Sequence, residues 1–124
     1  MRGMKLVVLP HRLYLAKARA LPENVRSAPF WVYIQAEGAG TLVVPEEYLP
    51  EGAEAEGPFV ALAFEGPLPL EMIGVLGRVG SLLAEVGVSL FAYSAFDTDY
   101  ILVRERYLKL ARETLEEAGY RVVD

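Results

Sequence analysis

The chain has 124 residues, 53% apolar and 23% charged, with no cysteine and a formal charge of −5. That is enough apolar material for a packed core in one small globular unit, or in two very small units packed intimately. It excludes disulfides, thiolate nucleophiles and cysteine-based metal sites, and the acid excess removes the attraction by which nucleic-acid binders gain affinity.

No apolar run approaches the ~20 residues that span a bilayer, and Met4 to Leu9 is too short for a signal-peptide core, so a cytoplasmic location with no membrane partner is expected. Asn24 and Gln35 are the sole amide side chains among abundant Glu and Arg, a balance that fits a thermophile.

Met4 to Leu9 reads as a buried strand stopped by Pro10, and Leu13 to Ala16 as a second short strand. Pro22, Asn24, Ser27 and Pro29 punctuate a loop. Phe30 to Ile34 then runs to a turn at Gly38-Ala39-Gly40 and returns as Thr41 to Val44, which predicts a hairpin. Pro45 to Leu49 can make one helical turn before Pro50, and the acidic, glycine-containing segment 51–57 reads as a linker.

The second half is patterned more strongly. Phe59 to Phe64 reads as a strand, and Gly66-Pro67-Leu68-Pro69 as a turn into a helix. Met72, Leu76, Val79, Leu83 and Val86 recur at helical spacing, and Gly87 ends the element. Val88 to Phe96 and Tyr100 to Val103 predict antiparallel strands joined at Asp97-Thr98. A helix from about Glu105 to Ala118 carries Leu108, Ala111, Leu115 and Ala118 on one stripe, and a last strand follows Gly119.

The order βαββαβ predicts an α+β, ferredoxin-like domain over residues 58–124, an antiparallel sheet with both helices on one face. Residues 1–57 read as an abridged, mostly β half. Phe30-Trp31-Val32-Tyr33 aligns with Leu90-Phe91-Ala92-Tyr93, and Glu46-Glu47-Tyr48-Leu49 with Glu105-Arg106-Tyr107-Leu108, the pattern of an internal repeat. A duplication would give pseudo-twofold packing with a groove between the copies.

Candidate chemistry falls at two places. No Ser, Thr, Asp or Asn precedes the first helix of the second half, so its leading N–H groups need water, local loop geometry or an anion such as a ligand carboxylate. Gly74, Gly77 and Gly80 each cost ~1 kcal/mol inside that helix; close packing is expected at Gly77 and Gly80, and either packing or ligand approach at Gly74. Asp97 reads as a turn former, whereas Asp99 begins the return strand and could meet a ligand amine. Two carboxylates without further oxygen ligands do not make a metal site. His11 lies in a turn with no partners for a triad, and Ser81, Ser89 and Ser94 lack a nucleophile-elbow setting, so no catalysis and no cofactor are expected.

Glu65-Gly66-Pro67-Leu68, Ile73-Gly74-Val75-Leu76, Leu83 to Phe91 and Ser94 to Val103 together resemble small bacterial ACT-domain proteins related to the ACT repeats of the animal cytosolic arginine sensor. The most specific piece is Thr98-Asp99-Tyr100-Ile101-Leu102-Val103. The resemblance implies an ACT domain at 58–124 after an ACT-like half at 1–57, binding an amino acid or similar metabolite between paired units without catalysis. It implies that Leu68, Met72, Ile73, Gly74, Val75 and Leu76 face the ligand carboxylate and that Phe96, Thr98 and Asp99 form the other wall. The partners expected are an amino-acid ligand, a second copy in a homodimer and a regulated protein. The alternative is a protein–protein interaction or dimerisation module with no small-molecule ligand.

Overall fold

The computed structural model describes residues 4–65, 74–96 and 98–124. In chain order its elements are strands β1 (Lys5–Val8), β2 (Leu13–Lys17), β3 (Val32–Ala36), β4 (Ala39–Pro45) and β5 (Ala55–Phe64), helix α1 (Val75–Glu85), strands β6 (Phe91–Ser94) and β7 (Asp99–Arg104), helix α2 (Leu108–Glu117) and strand β8 (Arg121–Val123). Two compact units form: one from the residues up to Pro10 with Val60–Asp124, the other from His11–Phe59.

In the first unit the strands run β6-β7-β5-β1-β8. The expected βαββαβ order is present, with one strand added. β1 lies antiparallel to β5, Leu6 opposite Phe64, and parallel to β8, Leu6 opposite Val122. Both edges of its apolar run are therefore hydrogen-bonded, the environment that suits Leu-Val-Val. Leu6, Leu62, Phe64, Ile101, Val103 and Val122 share one alternation of their strands and pack in a single cluster with Val79 and Leu83 of α1 and Ala111 and Leu115 of α2. Both helices thus cover the same face.

The buried stripe of α1 is Val75, Val79 and Leu83, spaced by four. Val79 and Leu83 are buried as expected and Val75 joins them; of the other residues on the expected stripe, Leu76 is partly buried beside the cluster and Val86, past the helix end, is 39% exposed. Met72 lies outside the described residues. Among the described residues the close packing expected of the helix glycines is absent at Gly77, where an added Cβ would meet nothing within 4 Å, and marginal at Gly80, where it would just reach Leu90. Nothing among the described residues explains Gly77.

The second unit is built on the β3–β4 hairpin, Val32 opposite Val43, through to Ala36 opposite Ala39. Its two-residue turn has Glu37 and Gly38 both at positive φ, the mirror-image turn that matches strand twist. β2 pairs with β4 and with the early part of β5. Val25, Leu42 and Val44 form one buried cluster in it, with Trp31, Tyr33 and Tyr48 against them. Val25 comes from a 3-10 turn, Glu23–Ser27, where the sequence reads only as loop.

The acidic segment 51–57 is not a free linker. A turn closes with Ala53 N–H donating to the Pro50 carbonyl, and Lys17 N–H donates to the Glu54 carbonyl at 3.0 Å. From Ala55 the chain is already β5, which runs unbroken through residues 57 and 58, where the sequence reading draws its boundary. Leu13 faces Phe59 and Leu15 faces Glu56, so Gly57 and Pro58 together oppose Tyr14, a bulge that accommodates a proline without a ladder N–H. A Cβ at Gly57 would press on the Tyr14 ring at 2.6 Å.

Each hairpin passes into a single 3-10 turn, Glu46–Tyr48 after β4 and Glu105–Tyr107 after β7. Their fates diverge at the next residue. Leu49 is extended, with ψ 132°, because the ring of Pro50 disfavours helical backbone before it. Leu108 is helical, with ψ −43°, and α2 propagates. The same start thus gives a stub in one unit and a helix in the other.

Candidate functional site

The geometry worth building lies where β5 ends. Phe64, its last residue, is buried at 1% exposure. The next residue is tied to β1: Glu65 N–H donates to the Lys5 carbonyl at 2.9 Å and its carboxylate pairs with the Lys5 ammonium at 3.1 Å. From the other side, the Thr98 hydroxyl donates to the Phe64 carbonyl at 2.5 Å. In the β6–β7 hairpin, Ala95 N–H donates to the Thr98 carbonyl at 2.8 Å, and Ser94 faces Asp99 in register. The hairpin corner is therefore fastened to the end of β5, the end from which the chain leaves toward α1.

Asp99 opens β7 as the sequence predicts, and it is half-buried. Its carboxylate has no ion-pair or hydrogen-bond partner among the described residues. Phe96 stands out at the same corner, 85% exposed. Tyr93, facing Tyr100 across the hairpin, has its phenol pushed above the usual value by desolvation, so it remains a neutral donor through the physiological range.

α1 is entered through Gly74, which sits in left-handed backbone at φ 83° and caps the helix without a side-chain hydrogen bond. Glycine takes this conformation without the Cβ penalty, so Gly74 belongs to the cap and not to the helix interior. The first bond of the helix runs from Arg78 N–H to the Gly74 carbonyl at 2.9 Å. The N–H groups of Val75, Leu76 and Gly77 therefore have no acceptor within the helix and carry its partial positive charge. Val75 itself is 3% exposed, backbone and side chain together, and belongs to the core cluster. A crossover helix returns over its sheet from the end where its strand finishes. That is the end where Thr98 fastens the Asp99 corner.

Of the residues the sequence singles out, Thr98 is bonded to the end of β5 and Asp99 follows it, Gly74 to Leu76 form the helix entrance, and Phe96 projects from the corner. Leu68, Met72 and Ile73 lie outside the described residues. The second unit has a shallow depression of about 190 Å³ lined by Leu15, Lys17, Thr41, Glu54 and Glu56 among others, which the sequence does not announce. Its Lys17–Glu54 pair, 3.3 Å apart, is about three-quarters exposed on both sides and worth little in water. Among the described residues no group of three acidic or imidazole side chains could hold a metal ion, and no helix is long and apolar enough to cross a membrane.

Comparison with solved structures shows how widely this fold is shared. A protein from Agobacterium tumefaciens matches with a TM-score of 0.90 at 23% identity, over 100% of this chain and 96% of that one. A Vibrio cholerae protein of unknown function, possible transport protein, matches at 0.78 with 19% identity, over 94% and 91%. The ligand-free regulatory subunit of aspartate kinase from Thermus thermophilus matches at 0.64 with 9% identity, over 94% and 97%. No curated protein sequence matches the chain significantly. At the level of sequence, the pattern of the ACT domain matches residues 54–117, which takes in β5, α1, the β6–β7 hairpin and α2, and on that match the chain belongs to the ACT domain family.

Proposed function

We propose that the chain is a non-catalytic regulatory module that binds an amino acid or a similar small metabolite. Backbone N–H groups at the entrance of α1 meet the carboxylate and Asp99 meets the amine. The observation that carries this reading is the half-buried Asp99 carboxylate, which has no partner among the described residues and sits on a corner fastened to the end of β5. An amine there forms a charge-assisted hydrogen bond, and an uncapped helix start favours an anion. The fold shared with regulatory subunits of aspartate kinase from Thermus thermophilus and Thermus flavus supports a regulatory role. Kinship with the ACT repeats of the animal arginine sensor, a cytoplasmic location, a thermophilic source and a regulated protein partner are parts of the same proposal.

A homodimer is supported by a contrast between the two outer strands of the first unit. At β8, Arg112 donates to the Val122 carbonyl at 3.0 Å and pairs with Asp124 at 2.6 Å, a charged guard on an edge. β6 reads Phe-Ala-Tyr-Ser, is mostly exposed and pairs with β7 alone among the described strands. An uncharged edge of this kind is self-complementary across a twofold. The same edge, with Phe91 40% and Phe96 85% exposed, favours the second reading, an interaction module with no ligand.

A melting screen against the common amino acids separates the two. A ligand bound by the native state alone adds ~2.7 kcal/mol at a hundredfold excess over its Kd, so a melting temperature several degrees higher is expected with one or a few amino acids. Flat curves across the panel would favour the interaction module, and turnover of any of them would restore an enzyme.

A further inference from the structure

We propose that Thr98 is a positioning residue for this site and not one of its contacts: its hydroxyl, bonded to the Phe64 carbonyl, holds the corner that carries Asp99. The inference rests on the amino-acid-binding reading and refines it.

The donor of Thr98 is committed to Phe64 at 2.5 Å. The acceptor belongs to a residue that cannot follow a moving corner, since Phe64 is 1% exposed in the core and Glu65 beside it is anchored to Lys5 through backbone and side chain. On the hairpin side, the Thr98 carbonyl receives Ala95 N–H, and β6 lies at the outside of the strand order. β7 already pairs with β5 through its backbone, and the hydroxyl bond adds a side-chain tie to the last residue of β5 one residue before Asp99. Without it, the end of the hairpin that carries Asp99 keeps only its backbone pairing, and the cost of fixing the carboxylate falls on ligand binding.

The test combines amide hydrogen exchange of the ligand-free protein with melting titrations against the twenty common amino acids, in wild type, Thr98→Val, Thr98→Ala and Thr98→Ser. Valine and alanine both remove the donor, so failure of one to fold leaves the other. In either, the Ala95 amide is expected to exchange about tenfold faster before any ligand is added, and the half-saturating concentration of the stabilising amino acid to rise about tenfold, the scale of one hydrogen bond. Exchange at Leu9, bonded to the Ala61 carbonyl, stays unchanged. Thr98→Ser, which keeps the hydroxyl, restores both values.

Weakened binding with Ala95 exchange unaltered would make Thr98 a direct contact and overturn the proposal. Unaltered binding in the donor-less variants, or failure of serine to rescue, would overturn it as well. A wild type that responds to no amino acid removes the binding reading itself, a result seen in the wild-type arm alone and so distinct from failure of the clamp.

Discussion

Replacing Phe64 with alanine is expected to lower the free energy of unfolding by about 3–5 kcal/mol. The ring is 1% exposed and lies in the cluster that both helices share with β1, β5, β7 and β8. Its removal forfeits the transfer energy of an aromatic side chain and leaves a cavity among Leu, Ile and Val side chains held by strand pairing, which relax only in part. Against a typical total of about 5–15 kcal/mol, the variant stands near the threshold of folding. Urea denaturation at constant m-value measures the loss, and a difference under about 1 kcal/mol would mean that this cluster is not the principal core.

Gly40→Ala is expected to cost about 2–3 kcal/mol although it adds one methyl group. A Cβ at Gly40 would overlap the backbone carbonyl of Ala18 and lie 2.5 Å from the Tyr33 hydroxyl. Neither neighbour yields easily, because Ala18 N–H donates to the Gly40 carbonyl at 3.1 Å and the Tyr33 hydroxyl donates to the Ala18 carbonyl at 2.9 Å. The substitution therefore separates β4 from the chain leaving β2 and breaks a small hydrogen-bond set. Gly38 is the control: it lies in the turn at φ 80° with nothing within 4 Å, so alanine there meets only left-handed backbone strain of about 1–2 kcal/mol. Equal losses at the two positions, measured by the same denaturation, would show that the close approach at Gly40 is not what requires glycine.

Local pattern made most of the second half legible. The spacing of Leu108, Ala111, Leu115 and Ala118 gives α2 and its buried stripe, and β7 follows from an apolar run bounded by turn residues, whereas of the Val88 to Phe96 run only Phe91–Ser94 is strand, Val88 packing in the core cluster instead. Less legible was whatever depends on partners distant in the chain. β1 is readable as a strand, but nothing in Lys-Leu-Val-Val says that it enters between β5 and β8 and pairs in parallel with residues at the other end of the sequence. Ala55 to Gly57 read as linker by composition, and they are strand because the backbone of β2 completes their hydrogen bonds. At α1 the spacing gives Val79 and Leu83 but misses Val75, which a reading anchored on Leu76 passes over and which the cap at Gly74 brings into the core.

The candidate site divides in the same way. Asp99 at the start of a strand and the missing cap of α1 are local features, and both are visible in the sequence. The bond from Thr98 to Phe64 joins residues 34 apart, so nothing local in the sequence announces that Thr98, a pocket wall on the family resemblance, also bonds to the end of β5. The different outcomes of Leu49 and Leu108 were readable in principle, because one precedes proline and the other precedes lysine.

The most direct test of amino-acid binding through Asp99 is calorimetric titration of wild type and Asp99→Asn with whichever amino acid raises the melting temperature most. The substitution keeps the size of the side chain and removes its charge, so the fold should melt as before. Affinity is expected to fall about ten- to hundredfold, the worth of one hydrogen bond to a charged group. Equal affinity in the two proteins would contradict the account, since the amine would then be held elsewhere.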